Sequence, residues 1–161
     1  MPALTTIGVY EFDADSFLAT LRDAEVTLVV DVRQRRGVRG PRYAWANARR
    51  LQGLLADAGI AYAHHRELAP STELRHLQYR DDDLQGVGKR TRQRLSPEYV
   101  ARYTAEVLDP APLSALVREL PADGISALLC VEALPEACHR SLIAARLAQR
   151  FGIPVRHLLP G

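Results

Sequence analysis

The chain has 161 residues, 47% hydrophobic and 25% charged, with a formal net charge of +2. That length fits one domain with a real core, the composition is that of a soluble globular protein, and so small a charge identifies no partner by itself. No apolar run is long enough to span a bilayer, and the N-terminal MPALTTIGVYEFDADSF lacks a basic stretch followed by an apolar core, so the expected compartment is the cytoplasm.

Leu4–Tyr10 (LTTIGVY) reads as a short strand ending at Gly8. Asp13 can cap a helix reaching Ala24, with Phe17, Leu18 and Leu21 at helical spacing. Val26–Arg33 (VTLVVDVR) is a continuous β-branched run, as expected of a strand buried on both faces. It breaks into the glycine- and proline-containing loop RQRRGVRGPRY. A helix is expected from Ala44 to Ala58, stopped by Gly59, and IAYAHH then makes a third strand.

Arg66 to Ser96 is polar without a clear period and is expected to hold short helices and loops. Ser96-Pro97-Glu98 is a helix start, and Asp109-Pro110 is a second, leading to about Leu120. GISALLCVE forms the fourth strand. Pro135 opens a last helix ending near Gly152, and IPVRHLL is the fifth strand. No repeat, low-complexity tract or linker divides residues 1–161.

Alternating strands and helices predict an α/β fold: one three-layer Rossmann-like domain, mostly parallel, five-stranded, with helices on both faces. The expected strand order is 3-2-1-4-5. Ligands of such sheets bind outside the carboxyl ends of the strands where the order reverses. Gly8–Tyr10, Asp31–Arg33 and Cys130–Glu132 would meet there, with Cys138, His139 and Arg140 in the first turns of the last helix.

The triplet DVR after the second strand, CVEALPEACHR after the fourth and the C-terminal VRHL resemble the domain-of-unknown-function 488 (DUF488) family. The resemblance runs from TTIG to RHLL and implies a Rossmann-like fold without a settled reaction. One position departs from the family pattern. Its first strand often continues Ile-Gly-His, whereas Ile7-Gly8-Val9 stands here, so any role of that imidazole is absent or carried by another residue.

Cys130 ends a buried strand and reads as a small core residue. Cys138 near a helix N-terminus, beside Arg140, has the setting that lowers a thiol pKa, but it also shares a packing stripe with Leu142 and Ala145. His139 likewise lies on the stripe of Ile143, Leu147 and Phe151 while standing beside the strand ends. Arg140 either pairs with Glu132 or Asp31 or joins the helix terminus in binding an anion.

Adjacent helical residues point about 100° apart, so Cys138 and His139 are not expected to share a metal, and no metal or cofactor is expected. GVYEFD replaces the glycine-rich turn of a dinucleotide site. QGVGKRT fails as a P-loop, with Asp83 and Arg90 at two required positions. The Asp81–Asp83 run reads as a solvated acidic loop.

Of the 21 basic residues, Lys89 is the single lysine. Arg33, Arg35, Arg36, Arg39 and Arg42 precede Tyr43 and Trp45, and Lys89, Arg90, Arg92 and Arg94 form a second cluster. Arginines mixed with aromatics suit phosphates and stacked bases.

The leading expectation is therefore a phosphate-bearing ligand, a nucleotide, DNA or RNA, at the strand-end cleft. Gly8, Arg33, Arg36, Tyr43 and Arg140 would bind it, and Asp31, Glu132, Cys138 and His139 would supply any chemistry, hydrolysis or base removal first. The alternatives are a transferase or redox enzyme using the Cys138 thiolate, and a non-enzymatic binding module. A homodimer is compatible with the helices but not required.

Overall fold

The apolar runs become five strands: β1 (Ala3–Ile7), β2 (Val26–Asp31), β3 (Ala61–His64), β4 (Ile125–Leu129) and β5 (Val155–His157). Between them lie α1 (Ala14–Asp23), α2 (Ala48–Asp57), α3 (Thr72–Gln85), α4 (Pro97–Tyr103), α5 (Leu113–Glu119) and α6 (His139–Phe151). This is a computed structural model, and it describes residues Met1–Gly161.

All strand pairings are parallel, in the order β3-β2-β4-β1-β5. The α/β class and the five-stranded sheet are as expected, but the order 3-2-1-4-5 is corrected. In passing through α1 the chain skips one position before it lays down β2, and β4 later fills the gap. Ala127, Leu128 and Leu129 are fully buried there, as a strand with neighbours on both edges requires.

That order sharpens the location of a crevice. Right-handed crossovers carry α1 and α2 to one face as the chain steps from β1 to β3, and bring α3 to α6 to the other as it steps back. Consistent with this, α6 packs on β1, β4 and β5, and α4 packs on α6. β1 and β2 thus release their chains toward one face, whereas β4, between them, releases its chain toward the other. The divergence opens the sheet's carboxyl edge on both sides of β4.

Phe17, Leu21, Leu51 and Leu55 from one helical layer, and Tyr103, Ile143 and Leu147 from the other, close on Ile7, Val29, Val30 and Leu128. Each such fully buried side chain contributes roughly 1.5–3 kcal/mol. The helix ends follow the sequence cues where side chains cap them. Asp13 accepts from the Ser16 amide at 2.8 Å, Ser96 accepts from the Tyr99 amide at 3.0 Å, and Gly152 closes α6 at φ 67°.

Three expected helix starts and one expected loop are corrected. The helix expected at Ala44 starts at Ala48, because Pro41–Ala46 forms a 3-10 turn and Asn47 is extended. The helix expected from Asp109 starts at Leu113, since Thr104–Leu108 prolongs α4 as a wide π turn. The helix expected from Pro135 starts at His139, because Pro135–Ala137 is another 3-10 turn and Cys138 is extended. The polar segment Arg66–Ser96 contains the 14-residue α3, and the Asp81–Asp83 run lies within it, with Asp82 buried. No helix is long and apolar enough to cross a membrane.

Candidate functional site

β4 delivers Cys130, Val131 and Glu132 directly into the crevice. The Val9 and Tyr10 amides both donate to the Val131 carbonyl at 2.9 Å, drawing the end of β1 against this segment. A Cβ on Gly8 would collide with the Glu132 carbonyl oxygen. Gly8 is therefore needed for close packing of the two strand ends.

Cys138 is the N-cap of α6, with φ −139° and ψ 146°. Because it is extended rather than helical, its side chain converges with that of His139, which corrects the 100° separation expected of two helical neighbours. His139 Nδ1 lies 3.6 Å from Cys130 Sγ and 3.7 Å from Cys138 Sγ. On the far side of the ring, Nε2 donates to the Val32 carbonyl at 2.8 Å. The Tyr103 ring packs on this imidazole at 5.5 Å.

The cluster's charges are interdependent. Burial pushes the Cys130 thiol well above its ordinary pKa. Burial opposes ionisation of Cys138 too, but its contacts with Cys130 and His139 outweigh it and hold that thiol well below the ordinary value. Burial likewise disfavours charge on His139, and the neighbouring Cys138 raises it overall. Glu132 is raised by burial and then by Cys138, against the pull of Lys89 and Arg92.

Three arginines here are buried and held by partners inside the protein. Arg33, 2% exposed, grips Asp31 through Nε and Nη2 at 2.9 and 2.8 Å and donates Nη1 to the Ala46 carbonyl. Arg140, fully buried, donates to Thr6 Oγ1 and to the carbonyls of Glu132 and Ala133. It holds the backbone of Glu132, not its carboxylate, so of the two alternatives the sequence offered, the side-chain pair with Glu132 or Asp31 is not formed. That carboxylate belongs to Arg92, at 2.8 Å, which also reaches Asp82 of α3 at 3.5 Å.

Cys130, Glu132, Cys138 and His139 form the floor of a cleft of about 690 Å³. Its walls carry Arg35, Arg39, Arg75, Lys89 and Arg90, with Arg33 and Arg92 lower down, against one acid, Glu132. Lys89 is desolvated, yet Glu132 and the surrounding groups raise its pKa overall, so it stays cationic. Tyr10, Tyr79 and Tyr99 supply aromatic surface.

Of the residues expected from sequence, the structure thus gathers Arg33, Glu132, Cys138 and His139 at the cleft. Gly8, Asp31, Arg36, Tyr43 and Arg140 do not line it. Asp31 is fully buried between Arg33 and Tyr62, whose hydroxyl donates to it at 2.6 Å, and Arg36 donates to that hydroxyl at 3.3 Å. Tyr43 is buried and accepts from the Glu11 amide at 3.1 Å. Arg75, Gln78 and Tyr79 were missed together, because they arrive on α3. The capping Ser71 and the left-handed Gly86 at its end were the available signals.

A family described as "Domain of unknown function DUF488" matches residues 13–147. No curated protein and no solved structure matches the chain.

Proposed function

The chain belongs to the DUF488 family, and we propose that its cleft binds a phosphate-bearing ligand, a nucleotide or a single-stranded nucleic acid. One observation carries this: Arg35, Arg39 and Arg90 line the cleft with no carboxylate within ion-pair distance. Unpaired cations on a concave wall focus a positive potential that draws anions inward. Guanidinium groups match phosphate oxygens in bidentate pairs, at low cost because they are less strongly hydrated than ammonium.

The rest of the wall suits the same ligand. Arg90 lies over the rings of Tyr10 and Tyr43 at 5.3 and 5.4 Å, which restrains its guanidinium. Tyr79, on α3, adds a ring to the cleft lining, where a base could stack. The cleft volume falls within the range of small-ligand sites. A reaction on such a ligand would use Glu132 and His139 as proton-transfer groups, since both are buried at the floor with shifted pKa values.

Fluorescence anisotropy with labelled single-stranded DNA, single-stranded RNA, duplex DNA and a labelled nucleotide tests the proposal. The recovered ligand is then checked for cleavage or base loss. The expected result is binding at low salt to at least one single-stranded probe or the nucleotide. Binding of none of the four probes at low salt would refute it.

A further inference from the structure

The two cysteines and His139 form an arrangement that phosphate binding does not need. Both cysteines are free and buried, and their Sγ atoms and His139 Nδ1 all lie within 4.8 Å of one another. Because a carbonyl oxygen only accepts, the contact with Val32 fixes a proton on Nε2 and leaves Nδ1 facing the sulfurs. Two sulfurs then point at one nitrogen, 3.6 and 3.7 Å away. Whether Nδ1 accepts from a thiol or donates to a thiolate, it makes one directed hydrogen bond, so hydrogen bonding explains one of these approaches. A shared cation explains both.

The distances fit that occupant. Metal–sulfur bonds of about 2.3 Å and metal–nitrogen bonds of about 2.0–2.1 Å, set tetrahedrally, separate sulfur from nitrogen by roughly 3.5–3.6 Å. We infer that Cys130, Cys138 and His139 bind one zinc-class divalent cation through Sγ, Sγ and Nδ1. Thiolate and imidazole donors favour zinc over magnesium or calcium. Binding releases the thiol protons to solvent, and two thiolates neutralise the ion in its buried setting. The Nε2 bond to Val32 is the outer-sphere support that metal-bound imidazoles commonly have.

Three protein ligands leave a fourth position. All three residues line the cleft, so that position opens toward it, as in sites that hold a water or a substrate atom. Glu132 Oε2, 3.4 Å from Cys130 Sγ and lining the same cleft, would take a proton from a water bound there. The inference does not depend on the phosphate proposal, because the ligand set is complete without the arginines.

The test is a Co²⁺ titration of the full-length protein, first stripped by chelator, reduced, and shown by a thiol reagent to carry two free thiols. The expected result is one equivalent bound, with thiolate-to-cobalt charge-transfer absorption and intense tetrahedral d–d bands that Zn²⁺ abolishes by displacement. Cys130→Ser and Cys138→Ser should each lose much of the charge-transfer band. His139→Gln should weaken binding by more than about tenfold, and His157→Gln, remote from the cluster, should leave it intact. The wild-type titration decides even if a variant misfolds. Fully reduced wild type with no charge-transfer band in excess Co²⁺ would overturn the inference. So would Cys138 alkylation at the same rate with and without Zn²⁺, which would instead mark a free nucleophile.

Discussion

Arg33 and Arg35 leave β2 on the same loop, two residues apart, and their surroundings could hardly differ more. Arg33 is 2% exposed with its guanidinium clasped by Asp31, whereas Arg35 is exposed, lines the cleft and has no carboxylate partner. The same division runs through the whole site: Arg33, Arg92 and Arg140 are buried and tie together the segments that carry the floor, while Arg35, Arg39 and Arg90 form the rim. An arginine's role is thus set by whether its guanidinium already has a partner inside the protein, and proximity to the cleft does not decide it. A buried guanidinium whose donors are taken organises backbone and carboxylates; a free one is available to a ligand.

The comparison breaks most visibly at Arg33. Arg33→Ala leaves Asp31 buried with Tyr62 as its remaining side-chain partner, so unfolding by denaturant should show a loss of about 3–5 kcal/mol. A loss under about 1 kcal/mol would place Arg33 with the rim. Arg140→Ala comes next. It strips donors from Thr6 Oγ1 and from the carbonyls of Glu132 and Ala133. A loss of about 2–4 kcal/mol is expected, since an unsatisfied buried acceptor costs about 1–3 kcal/mol. At the rim the effect on stability should nearly vanish: Arg39→Ala with Arg90→Ala should stay within about 0.5 kcal/mol of wild type.

The smallest effect concerns the outer neighbour of Arg140. Thr6 Oγ1, which accepts from Arg140, contacts His157 Nδ1 at 2.6 Å. Burial, then the Arg140 charge, lowers the His157 pKa below its ordinary 6.5. The unfolded chain therefore takes up this proton first. Its contribution to stability is complete above about pH 6.5 and is lost as pH falls through the lower folded value. His157→Gln should accordingly differ most from wild type in melting temperature near neutral pH, with the gap narrowing as the solution is acidified. A gap independent of pH would separate His157 from the Arg140 network.

Where local chemistry decides structure, the sequence was informative. The β-branched VTLVVD is a strand, Asp13 and Ser96 cap their helices, and Gly152 ends α6. The strand order was not legible, because the insertion of β4 between β2 and β1 follows from packing across about a hundred residues. The α3 helix escaped notice because its buried face is Leu74, Leu77, Gln78 and Asp82, half of it polar, so hydrophobic spacing shows no period. The Cys138–His139 convergence was hidden by one backbone conformation, the extended N-cap, in a stretch that reads as helix. Arg92 was visible as one of a basic cluster, but its partner Glu132 is forty residues away and no spacing rule joins them.

The most direct measurement is the salt dependence of single-stranded nucleic-acid binding by wild type and by Arg39→Ala/Arg90→Ala. Each phosphate contact on a single strand contributes roughly 0.7 to the slope of log affinity against log salt. With two contacts removed, the slope should fall by roughly 1.4, affinity should drop at low salt, and melting temperature should not change. Equal affinity and equal slope for the two proteins would contradict the assignment of the rim to phosphate.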